Sequence, residues 1–173
     1  MTFKFRNVCL ICLCLFWLSA CGYRFAGSGS FPEGVDTIYV EVMENRTSKI
    51  GAERIVTNQL IFEFSRRREN SLVSKLDEAD AILKGSINSL RTQTISRLDT
   101  EVANEREVTM TVDLKLIKSD GGAVIWAANG LSDREAYDVV DAKIETDRNE
   151  ELAIRRLSER ISERIFNRLT DDF

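Results

Sequence analysis

Alternate positions of one short stretch decide much of what this chain can become. Val108, Met110, Val112, Leu114 and Leu116 fall on one side of an extended backbone, and Thr109, Thr111, Asp113 and Lys115 fall on the other. A strand with a single apolar face belongs in a sheet that is covered on that side and wet on the other. The flanking segments supply partners. Ala79 to Ile95 also alternates, with Ala81, Leu83, Gly85 and Ile87 against Lys84, Ser86 and Asn88. After the central strand, Asp120-Gly121-Gly122 predicts a hairpin turn, because glycine accepts the positive φ of primed turns. Ala123 to Tyr137 is then the return strand, with Trp126 central.

The cover comes from two helical patterns. Gly51 to Arg67 places Ile55, Val56, Gln59, Leu60, Phe62 and Phe64 near helical spacing. Ile154, Leu157, Ile161, Ile165 and Leu169 form an apolar stripe, with Glu and Arg filling the remaining positions. Thr146 or Asp147 is the expected N-cap of this last helix, with Glu150 and Glu151 in the first turn where the helix dipole favours acids. Upstream, Thr37 to Met43 reads as a buried strand and Ser71 to Ser74 as a short extended piece. The order is β-α-(β)-β-β-β-α. It predicts an α+β fold in which two helices pack on one face of a mostly antiparallel four-stranded sheet.

The N-terminus constrains location and chemistry. Lys4 and Arg6 precede an apolar run from Val8 to Leu18, and Leu18-Ser19-Ala20-Cys21 follows. This is a secretory signal ending in a lipoprotein box; the run is shorter than the ~20 residues of a spanning helix. The expectation is cleavage between Ala20 and Cys21, with diacylglycerol and an N-acyl chain carried covalently on Cys21. Residues 1–20 are then the signal peptide, 21–34 a Gly/Ser-rich flexible tether containing Pro32, and 35–173 a single α+β domain. Cys9, Cys12 and Cys14 leave with the signal, so the mature chain keeps no disulfide and no free thiol. The sequence also contains no histidine, which removes the usual general base of hydrolases and imidazole metal sites. The reading is of a protein that is not an enzyme, with no cofactor and no metal. Losing Lys4 and Arg6 leaves 24 − 2 = 22 basic against 28 acidic residues, a formal −6 that argues against nucleic acid.

The mature start, Gly22-Tyr23-Arg24-Phe25, is followed by Ile38-Tyr39-Val40, Glu44-Asn45-Arg46-Thr47 and Ala79-Asp80-Ala81-Ile82-Leu83-Lys84-Gly85. Then come Val108-Thr109-Met110-Thr111-Val112, Trp126 and an amphipathic helix from Asn149-Glu150-Glu151. In this order the chain resembles the LPS-assembly lipoprotein family (LptE) over nearly all of its mature length. The resemblance implies a lipid-anchored protein on the periplasmic side of the Gram-negative outer membrane. It would plug and help assemble an LptD-type β-barrel and assist lipopolysaccharide insertion into the outer leaflet. The implied fold is two helices on a four-stranded sheet, and Gly22 fits outer-membrane sorting. The alternative is an adaptor or structural lipoprotein of another envelope complex. An envelope hydrolase using carboxylates would be a third reading, but no pair of acids is singled out for it.

The meander brings two loops to one end of the sheet, residues 98–106 and 138–149. They and their margins carry Arg97, Arg106, Lys143 and Arg148, the candidate contacts for phosphorylated lipid. The same loops hold Asp99, Glu101, Glu105, Glu107, Asp138, Asp141, Glu145 and Asp147, so their balance is acidic and a solvated or protein-facing role competes. Arg156, Arg160, Arg164 and Arg168 recur every four residues, with Glu159 and Glu163 three residues beyond the first two, which reads as a solvated helix face. Arg66-Arg67-Arg68 suits the C-terminal end of a helix dipole. Trp126 and the pair Phe62 and Phe64 read as core, and Tyr23 and Phe25 as interfacial aromatics beside the lipid.

Overall fold

The alternating segment is the middle of a sheet. In the computed structural model, which describes residues 31–32, 34–68, 71–95 and 105–171, it forms β4 (Glu105–Lys118). β4 pairs antiparallel with β3 (Ala81–Ile95) on one side and β5 (Val124–Asp138) on the other. Val108, Met110, Val112, Leu114 and Leu116 are all buried, so the period-two pattern picks out the covered face. The signal peptide, Ala20, Cys21, most of the tether and Arg97 lie outside the described residues.

The remaining edge departs from the expected meander. β1 (Ile38–Val40) and β2 (Glu44–Asn45) both pair with β3, and both run parallel to it. The sheet therefore has five strands and is mixed, in the order β1-β3-β4-β5 with β2 continuing the β1 edge. The α+β class stands. The parallel pairing follows from connectivity, because a helix lies between β2 and β3 and a crossover returns the chain in the same direction. Ser71 to Ser74 contributes one bridge, between Leu72 and Ile38.

The break between β1 and β2 has a steric cause at Gly85. A Cβ built there would lie 2.5 Å from the Met43 sulfur and 2.8 Å from the Asp113 carbonyl oxygen. Met43 therefore turns inward over a backbone with no side chain, and its N–H donates to Thr57 Oγ1 at 3.0 Å. The strand interrupts to let one buried side chain cross it. At the far hairpin, Gly121 and Gly122 hold φ of 79° and 70°, the conformations the turn demands.

Two helices cover the apolar face. α1 (Ala52–Arg67) buries Ala52, Val56, Leu60 and Phe64 at four-residue steps. Phe62 is a correction to the sequence reading, since it is 58% exposed. Two residues along a helix is ~200° of rotation, so Phe62 and Phe64 cannot share a face. α2 (Lys143–Asp171) buries Ile154, Leu157, Ile161, Ile165 and Leu169, the expected stripe, together with Ala153 and Phe166. Burying each such aliphatic side chain contributes about 1.5–3 kcal/mol. Near the helix ends Phe31 stacks on Phe64 at 6.1 Å, and Phe64 meets Phe166 edge-on at 5.2 Å. The chain thus enters the folded region beside the C-terminal ends of both helices.

Candidate functional site at the distal end of the sheet

The end of the sheet opposite that entry is where the last rungs of three strands meet. Ile95 pairs with Glu105, and Glu105 with Asp138. Arg106 sits one rung in, opposite Thr94 and Tyr137, and is exposed. The chain leaves β5 at Asp138 and turns directly into α2, which begins at Lys143. Lys143 and Arg148 are therefore helical residues, where the sequence reading placed them in a loop.

The early start of α2 has a local explanation. Thr146 is the expected cap, but it stands inside the helix and its hydroxyl works backwards. Its Oγ1 accepts from the Val140 N–H at 3.0 Å and donates to the Val140 carbonyl at 2.9 Å. Asn149 Nδ2 donates to the Asp138 carbonyl at 2.9 Å, closing the strand-to-helix corner. Lys143 Nζ bonds Asp147 Oδ2 at 2.7 Å across one turn. That hydrogen bond and the carboxylate's charge hold the Lys143 ammonium above its ordinary pKa. Glu150 is shared by Lys49 Nζ and by Thr92 Oγ1, the latter at 3.3 Å.

The structure brings Arg106, Lys143 and Arg148 to one end of the sheet, but their states differ. Lys143 is spoken for by Asp147, whereas Arg106 and Arg148 are exposed with no ion partner among the described residues. Lys143 and Asp147 also line a 690 Å³ groove between the start of α1 and the first half of α2. Its walls carry Ile50, Ile55 and Ile154, with Lys49, Arg54 and Arg155 at the margin. Among the described residues no cluster of acids suits a metal ion, and no helix is long and apolar enough to cross a membrane.

The arginine row of α2 has a role the sequence reading missed. Asp133 and Glu135 of β5 pair with Met110 and Val108 of β4, so they share the helix-covered face. Arg156 Nη1 reaches Glu135 at 3.2 Å, Arg160 reaches Asp133 at 3.1 Å and Glu135 at 2.7 Å, and Arg164 reaches Asp133 at 3.0 Å. Arg160 and Arg164 also donate to the Arg134 and Ser132 carbonyls, at 2.8 and 3.1 Å. Guanidinium groups thereby occupy the main-chain acceptors of an edge strand, one way in which edge pairing is blocked. Burial pushes the Asp133 carboxyl up, but the Arg134 N–H, the Arg160 hydrogen bond and the charges of Arg160 and Arg164 outweigh it. The net effect holds Asp133 below the usual carboxylate range. A signal existed: four residues of helix and two of strand both advance about 6–7 Å, so the two charge rows can run in step.

At the other helix ends, buried Glu63 takes Arg66 Nη2 at 2.7 Å and also contacts Arg67 Nε. Arg67 lies over the Phe166 ring and Arg68 over Phe31. The arginine triplet therefore ties α1 to α2 and to the entering chain.

The profile of the LptE family, described as lipopolysaccharide-assembly, matches residues 35–169. The chain belongs to this LptE lipopolysaccharide-assembly family. No curated protein matches it closely. Several solved structures share its fold. A Caulobacter crescentus CB15 protein described as a lipoprotein is 19% identical, covers 80% of this chain and 91% of its own, and has a TM-score of 0.58. An uncharacterized lipoprotein B from Nitrosomonas europaea is 15% identical over 87% and 92%, with a TM-score of 0.56. A minor lipoprotein from Acinetobacter baumannii is 13% identical over 82% and 95%, with a TM-score of 0.51. At these identities the likeness speaks to the fold, and the LptE assignment rests on the family profile.

Proposed function

We propose that this LptE-family member is a lipoprotein of the outer membrane, anchored through Cys21 on the periplasmic side. In this reading it plugs and helps assemble an LptD-type β-barrel and assists lipopolysaccharide insertion into the outer leaflet. The observation that carries the proposal is the family match across residues 35–169. The geometry supports it. Phe31, ten positions after Cys21, packs where α1 and α2 end, while Lys143 begins α2 at the other end. At ~1.5 Å per residue the helix from Phe166 back to Lys143 spans about 35 Å. A lipid-anchored chain would thus hold its distal end well away from the leaflet that holds the anchor.

The protein acts by stoichiometric contact, without covalent chemistry. Apolar packing and the arginine clamps keep helices and sheet as one body, and the exposed Arg106 and Arg148 are the proposed contacts for lipid phosphate. Arg suits that ligand because its planar fork can bind two phosphate oxygens together. Arg97 is proposed with them, and Lys143 only if a phosphate displaces Asp147. The experiment is detergent extraction followed by affinity purification of the full lipoprotein. A large outer-membrane barrel in equimolar amount supports the proposal. Recovery with a different envelope complex and no barrel replaces it.

A further inference from the structure

α1 is apolar on two sides. One side, through Val56, Leu60 and Phe64, covers the sheet; the other carries Ile61 and Phe62, which are 38% and 58% exposed. Among the described aromatic side chains Phe62 alone is exposed. Ile61 and Phe62 stand ~100° apart around the helix axis, and the exposed Asn58 and Ser65 fall between them, so the four make one outward patch. No acid of α1 shares it. Glu63 is buried and held by Arg66 and Arg67, and Arg66 also meets Glu163 of α2 at 3.5 Å. Glu159 and Glu163 of α2 offset Arg54 and Arg66, so the rim of the patch is close to neutral.

Position in the fold names the occupant. Phe62 is five residues, about 8 Å of rise, from Arg67 at the end of α1. At that end Phe31 stacks on Phe64 and Arg68 lies over Phe31. Cys21 precedes Phe31 by ten residues, a length of chain that spans at most about 36 Å. We propose that the patch rests on the phospholipid leaflet that holds the Cys21 anchor, with the Phe62 ring entering the headgroup–acyl boundary, where such side chains are favoured. This contact rests on the anchoring through Cys21 proposed above. The acyl chains hold the protein to the membrane, and the patch sets how the domain stands on it, with the last turns of α1 down and the start of α2 raised. A near-neutral rim makes the contact apolar, so salt that screens exposed charges leaves it in place.

The test uses the full lipoprotein in vesicles of phosphatidylethanolamine and phosphatidylglycerol, with no barrel present. Lipidation of Cys21 leaves the mature chain without a free thiol, so Asn58→Cys carries a fluorophore on the patch and Ile144→Cys carries it at the distal end. Both positions are exposed, and the labelled chains should melt as the native one does. Lipids spin-labelled near the headgroup should quench the probe at position 58 about threefold more than at position 144, in low salt and in about 0.5 M salt alike. Adding Phe62→Ser should remove most of that difference. On vesicle-bound lipoprotein, equal quenching at both positions, or quenching indifferent to Phe62→Ser, overturns the contact while leaving the anchor standing. A probe at position 58 that stays in water does the same and leaves this face to a protein partner. Native lipoprotein that fails to float with the vesicles overturns the anchoring and the contact together.

Discussion

Arg160 bonds Asp133 at 3.1 Å and Glu135 at 2.7 Å, so a single guanidinium spans two carboxylates that stand two residues apart on β5. Its third contact, to the Arg134 carbonyl at 2.8 Å, fills the gap between them. Helix and edge strand are locked in one register by a contact that depends on both the side chains and the main chain. A coat of solvated arginines would leave the register of α2 on β5 to the apolar packing alone. This arrangement does not.

Replacing Asp133 with Ala should therefore do more than delete one surface ion pair. It takes a carboxylate from both Arg160, which keeps Glu135, and Arg164, which keeps the Ser132 carbonyl. The expected loss is about 1–2 kcal/mol, discounted because Arg160 is itself partly exposed. For a chain of this size that lowers the melting temperature by roughly 2–8 °C. Arg155→Ala, which removes only the exposed Glu151 pair, is the control and should leave the melt unchanged.

Acid should loosen the same joint. The folded-state pKa of Asp133 lies below its ordinary value, as does that of Asp80, whose carboxylate accepts the Thr37 and Asp36 N–H groups. A depressed carboxylate contributes stability that is fully present above the unfolded value of about 3.9 and fades as pH falls through the folded one. Urea midpoints should be flat from pH 7 to about pH 5 and fall below about pH 4. Asp133→Asn should flatten that fall. An unchanged acid limb in the variant would mean the clamp carries no linkage.

Gly85→Ala tests the crossing of Met43 over β3. The new methyl would meet the Met43 side chain, which can shift, and the Asp113 carbonyl, which cannot. The expected cost is about 1–3 kcal/mol from overpacking, read as a lower urea midpoint at constant slope. Pairing it with Met43→Ala should recover part of the loss.

Arg106→Glu and Arg148→Glu together probe the lipid contacts. Both side chains are exposed, so the double variant should fold and melt normally. Binding of purified lipopolysaccharide should fall about tenfold or more, as expected when charge-assisted phosphate contacts are reversed. Unchanged affinity would remove these two arginines from the site.

Much of the architecture was legible in the residues because burial imposes periodicity. The alternation at Val108 to Leu116 and the stripe from Ile154 to Leu169 each named a covered face, and both are buried as expected. What stayed hidden depended on contacts distant in sequence. The split first edge required Met43 to cross Gly85, and nothing local to either residue announces it. Phe62 looked like core because α1 is apolar on more than one side. The first turns of α2 were invisible to an apolar pattern, since they bury nothing and are held by Thr146, Asn149 and Glu150. The arginine row was seen, but its partners lie more than twenty residues away on β5.

The central claim is that the chain works with a barrel to deliver lipopolysaccharide. Depleting the protein from growing cells and locating newly made lipopolysaccharide by membrane fractionation tests it most directly. The account predicts lipopolysaccharide held back in the periplasm and inner membrane, with the barrel misassembled. Normal surface lipopolysaccharide and a normally folded barrel after depletion would contradict it.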